Sequence, residues 1–466
     1  MLYLAEGISV KKVFDYVKEC DENGIYIRAL QVIKGNSPLI RIAFNPYDFE
    51  TPMHLYSLSK SFTSTAVGIC VDEGKLSPDT KMCELFADKM PAELTDALKK
   101  VTLHDLLSMQ SGHTACVLEK IRWADDTVKA FFEQPTTYEP GTTFAYSTAA
   151  TCMCAAAVER VTGMKLVDFL DERLFQKLGI KKPTWWECRD GQTLGGTGLH
   201  LSSNDLVKFG MMLKNKGVYN GERIVSEEYL ARATSKHSLD VNNGSPDWTA
   251  GYGYQFWMNA RDGFRGDGAF GQLCMVFPES DTLVVLNGEV GNMALETELV
   301  YKLLDTMYGD DSDANELEHF INTRYITAKG SDFNNDLSFT VAENRAEVEK
   351  LRLFGEKLLH IELNTAYGRK EFVCGNGEYI LNHYNMKNMS PSITFLDPRV
   401  NTIERQSVFA SYEYDGDKRI NITLRHQNTC HGQHWVVDLE ANKVEISLHV
   451  GDMICNKLEL TPTIEE

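Results

Sequence analysis

Two hydrophobic periods divide this chain, and they change over at a polar, acidic stretch, Gly309-Asp310-Asp311-Ser312-Asp313-Ala314-Asn315. Before it, helical spacing dominates and strands are few; beyond it, short segments alternate apolar and polar residues. A 3.6-residue period buries one stripe of a helix, whereas a period of two buries one face of a strand. The sequence therefore predicts an α+β domain over residues 1–310 and an antiparallel β domain over 316–466, the latter with barrel character.

Within the first domain, Val13, Phe14, Tyr16 and Val17 give residues 10–20 an apolar helical face. Strands are expected at 25–33 and 39–44, joined through Lys34-Gly35-Asn36, followed by a helix at 58–73 that Gly74 ends. Residues 101–215 read as mainly helical, with a break at Pro140-Gly141 and helices at 149–162 and 166–178. Strands at 253–258, 270–277 and 282–287 follow, the last two joined by a turn at Asp281, and a helix at 293–307 closes the domain. In the second domain, strands are expected at 319–327, 336–341, 371–375 and 391–396, and in the runs SVFASYEY, INITLRH, WVVDLEA and KVEISLHV. Asp415-Gly416 and Asn442-Lys443 fall where hairpin turns belong.

Composition narrows the partners. With 47 basic and 66 acidic residues the formal net charge is −19, which opposes binding to nucleic acid or to anionic lipid. The sequence leaves the oligomeric state open. The amino-terminal run MLYLAEGISVKK lacks the basic start and apolar core of a signal peptide, and no segment approaches the ~20 apolar residues of a membrane span. The 11 cysteines are odd in number and scattered, several inside apolar helical patterns (Cys70, Cys152, Cys154), as expected of reduced thiols in a cytoplasmic protein. Cys430, His431 and His434 stand close together, but no second ligand pair lies at a matching spacing, so they read as structural rather than metal-binding.

The chemistry concentrates at Ser57-Leu58-Ser59-Lys60. If Ser57 opens the helix, Lys60 sits one turn later on the same face, within reach of the serine hydroxyl. A serine attacks carbonyls only when a base takes its proton, and a lysine becomes that base when burial disfavours its ammonium form. Backbone N–H groups at the helix start can stabilise a developing oxyanion. The same spacing at Ser9–Lys12 reads as a solvated helix end. No Gly-x-Ser-x-Gly elbow is present. His54 reads as a strand-end residue and Asp205, in Ser-Ser-Asn-Asp-Leu, as a helix-start residue.

The run HLYSLSKSFTSTAVGICVDEGKLSPDTKM resembles the nucleophile segment of the serine β-lactamase-related family, which includes penicillin-binding proteins, class C β-lactamase-like esterases and aminohexanoate-dimer hydrolases. VTLHDLLSMQSGH (101–113), EPGTTFAYSTAATCMCAAAVERVTG (139–163), GGTGLHLSSNDLVKFGMMLKNKG (195–217) and GDGAFGQLCMVFPESDTLVVLNG (266–288) resemble further landmarks in the family's order. The resemblance covers about residues 25–305. It implies an antiparallel sheet flanked by helices, a helical lobe, and a cleft between them holding Ser57, Lys60 and Tyr146 as catalytic residues. Where the family carries Tyr-x-Asn this chain has Tyr146-Ser147-Thr148. Where many relatives carry Lys-Thr-Gly it has Gly266-Asp267-Gly268. The substrate-binding positions are then Thr148, Asp267, Gly268 and Ala269, with the Ala269 N–H joining that of Ser57 as an oxyanion hole. An acid at 267 is expected to repel a substrate carboxylate unless Arg265, two residues away on the same strand face, neutralises it. The implied activity is acyl-enzyme hydrolysis of a small ester, amide or peptide, without metal or organic cofactor and with β-lactams disfavoured. The departures at 148 and 266–268 leave an alternative: a weak or inactive ligand-binding protein on the same scaffold.

Overall fold

The computed structural model describes residues 1–240, 244–344, 348–365, 368–384 and 406–463. Its first part is built on a seven-stranded antiparallel sheet. The strands are β1 (Leu2–Leu4), β2 (Ile25–Lys34), β3 (Ser37–Ala43), β4 (Trp257–Met258), β5 (Phe264–Gly268), β6 (Gln272–Phe277) and β7 (Thr282–Val290), ordered β1-β3-β2-β7-β6-β5-β4. Central strands β2 and β7 are buried almost end to end, because helices cover both faces. On one face Leu30, Val32, Met275 and Val284 meet α1 (Val10–Glu22) and α6 (Met293–Thr306). On the other, Ile33, Cys274, Val276 and Leu283 meet α5 (Ser203–Lys214) and the helical lobe. Successive residues thus enter opposite cores, as the two-residue period of a pleated strand requires.

The lobe centres on α2 (Ser59–Asp72) and α4 (Thr148–Thr162), with α3 (Leu103–Leu107) against the latter. Both long helices are buried nearly all round, and their faces carry Ser, Thr, Ala and Gly. Small side chains let neighbours come close: a Cβ at Gly68 of α2 would lie 2.4 Å from the Tyr229 ring. The expected helix at 166–178 is α-helical only over Leu166–Leu170 and continues as a π-helical turn, Asp171–Phe175. The strand expected from 253 shortens to Trp257–Met258, since Gly251 and Gln255 both adopt positive φ (139° and 65°). That expected from 270 begins at Gln272, since Phe270 and Gly271 form a left-handed turn (66° and 81°).

The strand expected at 319–327 is instead a helix, α7 (Asn315–Thr323). Leu317, Phe320 and Ile321 recur at helical spacing, and they pack into the core shared by α1, α6 and the sheet. Beyond it lie β8 (Asp336–Val341), β9 (Val348–Phe354), β10 (Leu359–Thr365), β11 (Gly368–Asn376), β12 (Ile380–Tyr384), β13 (Gln406–Tyr414), β14 (Arg419–His426), β15 (Gly432–Asp438), β16 (Lys443–Val450), β17 (Met453–Leu460) and β18 (Pro462–Thr463). The segment 391–396 lies outside the described residues. Their order is β17-β16-β15-β14-β13-β11-β10-β9-β8-β18, with β12 paired to β13. β17 and β18 are one stretch of chain interrupted at Thr461, so its two ends pair with opposite edges and close the sheet into a barrel. Trp435, Ile422, Ile446, Phe372 and Leu351 fill it. Asn442 and Gly416, both at positive φ, make the expected hairpin turns.

Candidate active site

A 3₁₀ turn, Tyr56–Leu58, delivers the chain into α2 and leaves Ser57 half-buried. One turn on, the Lys60 side chain is 1% exposed. Its amine donates to Ser57 Oγ at 3.0 Å, to Thr148 Oγ1 at 3.0 Å and to the Gly196 carbonyl at 2.8 Å. All three ammonium protons can therefore be satisfied by neutral acceptors, and no carboxylate is among them. Burial accordingly dominates and pulls the amine from 10.5 down to about 7. Close approach makes this cage: a Cβ at Gly196 would lie 2.7 Å from Thr148 Cγ2, and one at Gly195 2.7 Å from Ala155 Cβ.

Tyr146 and Thr148 flank Ser147, whose side chain caps α4 by accepting from the Ala150 N–H. The cap fixes both neighbours over Lys60. The Tyr146 ring lies parallel to Trp257 (centroids 5.7 Å apart, 19° between planes), and the Lys60 amine sits 4.9 Å from its centroid. Burial raises the Tyr146 phenol, while a hydrogen bond with Ser57 works the other way. Ser57, Lys60, Tyr146 and Thr148 thus share one cluster. The Thr148 hydroxyl serves Lys60 as an acceptor, which leaves it a single proton to offer elsewhere.

β5 runs past this cluster with Gly266 and Gly268 facing the lobe. A Cβ at Gly266 would lie 2.9 Å from Ser61 Oγ, and one at Gly268 2.1 Å from the Leu55 carbonyl. Asp267 and Arg265 occupy the opposite face, opposite Leu273 and Met275. The Asp267 carboxylate is 3% exposed and accepts from Arg265 Nε at 2.8 Å. Alternation turns this charge away from the lobe and Arg265 engages it, the neutralising arrangement that the expected repulsion of a substrate carboxylate excepted. Ala269 follows, half-buried, at the end of the strand.

His54 ends a two-residue strand paired with His200-Leu201, and its Nε2 accepts from the Gly198 N–H at 3.1 Å. Asp205 lies in the first turn of α5, where its N–H donates to the capping Ser202 hydroxyl. Ser9 caps α1. Cys430 and His431 lie against Tyr56, whereas His434 sits on β15 beside His449.

Two contributors escaped the sequence reading. The Gly196 carbonyl gave a signal, since Gly195-Gly196 stands in one of the family-like landmarks. The barrel loop after β14, which reaches Tyr56, gave none, because nothing local announces a contact made across 373 positions of chain.

The sequence pattern described as Beta-lactamase matches residues 14–302. The chain belongs to that family. Among Beta-lactamase-family relatives it is 27% identical over 282 residues to 6-aminohexanoate-dimer hydrolase of Paenarthrobacter ureafaciens, covering 55% of this chain and 71% of that one. It is 28% identical over 320 residues to lovastatin esterase of Penicillium rubens, covering 53% and 79%. The octameric penicillin-binding protein homologue from Pyrococcus abyssi is similar in fold over 96% of this chain and 99% of that one (TM-score 0.51, 15% identity), barrel included. Family members named in these comparisons are hydrolases of amides and esters, and the fold is that of penicillin-binding proteins with a barrel appended.

Proposed function

We propose that this protein is a serine hydrolase acting through an acyl-enzyme on a small amide, peptide or ester. The observation that carries the reading is the Lys60 amine, 3.0 Å from the Ser57 hydroxyl and held near neutrality by burial at about 7. Neutral Lys60 takes the Ser57 proton as Oγ attacks the carbonyl carbon. The backbone N–H groups of Ser57 and Ala269 receive the oxyanion. Collapse of the tetrahedral intermediate expels the leaving group, which takes a proton relayed through Tyr146, and water then hydrolyses the acyl-serine with the roles reversed. These steps call for no metal or organic cofactor. β-Lactams are disfavoured, because the edge-strand position facing the lobe is Gly266 and offers no cation to a carboxylate. The reducing interior of a cell suits the chain: its 11 cysteines are all unbonded, and the Cys152 and Cys188 sulfurs remain thiols 3.7 Å apart. Among the described residues no helix is long and apolar enough to cross a membrane.

A fluorophosphonate probe should label the wild type at one serine, and Ser57→Ala should abolish the labelling. Labelling that survives in the variant would mean another nucleophile. No labelling of the wild type, with saturable peptide binding by calorimetry, would instead favour the binding-protein alternative that Thr148 keeps open.

A further inference from the structure

The two backbone N–H groups assigned to the oxyanion hole each adjoin a non-glycine residue in left-handed conformation. Tyr56, with φ 48°, precedes Ser57, and Phe270, with φ 66°, follows Ala269. Such backbone is strained for a residue with a side chain and persists where the surroundings over-determine it. Here the surroundings are visible. The Tyr56 and Phe270 rings meet edge to face at 5.2 Å, and the His431 ring touches both, at 6.2 Å and 5.4 Å. The Tyr56 hydroxyl lies 2.8 Å from Thr429 Oγ1, 3.1 Å from Cys430 Sγ and 3.0 Å from His431 Nδ1.

The loop supplying these partners joins β14 to β15 of the barrel, yet it is fastened to the first domain. The His54 N–H donates to the Asn428 carbonyl at 2.8 Å, and Asn428 Nδ2 donates to the Pro52 carbonyl at 2.8 Å. Arg28 Nη1 donates to the carbonyls of His426 (2.9 Å) and Thr429 (2.6 Å), while its Nε pairs with Glu289 at 2.8 Å. Arg28 and Glu289 are both buried. The loop is therefore held by the strand that enters the nucleophile turn and by the central sheet, and it in turn holds Tyr56.

We propose that the barrel loop Asn428–His431 is a working part of the acylation site. Thr429 and His431 are positioning residues that hold Tyr56 against Phe270 and so fix the separation of the Ser57 and Ala269 N–H groups. This rests on the serine-hydrolase reading above. It gives the barrel a chemical role, since the hole is complete only when the second domain is docked.

The test uses the full chain, with activity counted per fluorophosphonate-titrated site so that misfolded protein drops out. Tyr56→Phe, Thr429→Ala and His431→Ala should each lower kcat on a nitrophenyl ester about 10- to 100-fold, part of what deletion of an oxyanion donor costs. KM should stay within about threefold, and the pH midpoint set by Lys60 should not move. His431→Asn, whose amide can face the Tyr56 hydroxyl as Nδ1 does, should recover part of the loss. Tyr56→Phe combined with His431→Ala should be little worse than the poorer single variant, because both break one unit. Wild-type kcat in these variants, or losses that simply multiply, would overturn the proposal while Ser57 labelling stands. Should His431→Ala fold poorly, Tyr56→Phe, which keeps its ring, gives the same readout. An unlabelled wild type would overturn the hydrolase reading itself.

Discussion

Raising the pH from 5 to 10 should switch on acylation of Ser57 with a midpoint near 7, because Lys60 can act as a base only when neutral. Its side chain is 1% exposed, its amine has no carboxylate among its acceptors in the described residues, and burial pulls it down from 10.5 to about 7. At pH 5 about one amine in a hundred is then neutral and at pH 7 about half, so the acylation rate should rise roughly fiftyfold over that interval and level off above pH 8. Stability must respond as well. A cation whose folded-state pKa lies below its unfolded value binds fewer protons when folded, so its cost is fully present below pH 7 and relieved as pH climbs to 10.5. Over 3.5 units this amounts to about 5 kcal/mol, a slope near 1.4 kcal/mol per unit. The rate is read as the second-order constant for fluorophosphonate labelling. The stability term is the urea-unfolding free energy of wild type minus that of Lys60→Met, which cancels other titrating groups. A labelling rate still climbing tenfold per unit at pH 9 would show a lysine with its ordinary affinity for protons, and a difference curve flat between pH 7 and 10.5 would show the same by equilibrium. Either result would refute the desolvation argument.

Three further outcomes follow from the same geometry. Tyr146→Phe removes the phenol hydrogen-bonded to Ser57 but keeps the ring against Trp257; kcat should fall about 10²- to 10⁴-fold with the melting temperature unchanged, and a loss under tenfold would remove Tyr146 from proton transfer. Gly268→Ala places a Cβ 2.1 Å from the Leu55 carbonyl, two residues before Ser57; labelling of Ser57 should slow at least tenfold while circular dichroism stays native, and an unaffected rate would show that the edge strand yields without consequence. Glu289→Gln leaves the Arg28 and Arg425 guanidiniums without their shared anion between the domains; unfolding in urea should cost about 3–5 kcal/mol less, as for a broken buried pair, and a change below about 1 kcal/mol would mean that solvent already screens them.

Much of the fold was written in local pattern. Helix α1, strands β2 and β3, the hairpin of β6 and β7 around Asp281, and the paired strands β14 to β16 all follow from period and turn chemistry that neighbouring residues supply. The misreadings have physical causes. Residues 319–327 carry apolar side chains at spacings that suit either period over so short a run, and the core beneath α1 and α6 chose the helix. The π-helical turn at Asp171–Phe175 replaces one hydrogen-bonding pattern by another without changing composition. Barrel closure by β17 and β18 depends on pairing with β8, far earlier in the chain, and long-range pairing leaves no mark in any window.

The site divides along the same line. The proximity of Ser57 and Lys60 was legible because one helical turn joins them, and that of Tyr146 because the segment around it resembles a family landmark. Asp267 lies on the expected strand, and at a period of two its side chain shares a face with Arg265. That pairing, foreseen as a possibility from alternation alone, is what takes the charge out of play. What no local pattern could show is that the residue before Ser57, Tyr56, is held by Thr429 and His431. A left-handed tyrosine makes little sense as an isolated turn residue, since its own preferences oppose that backbone. It makes sense once Thr429 and His431 grip its hydroxyl, and under the proposal above a determinant of the candidate site's geometry then lies in the part of the chain beyond the family match at 14–302.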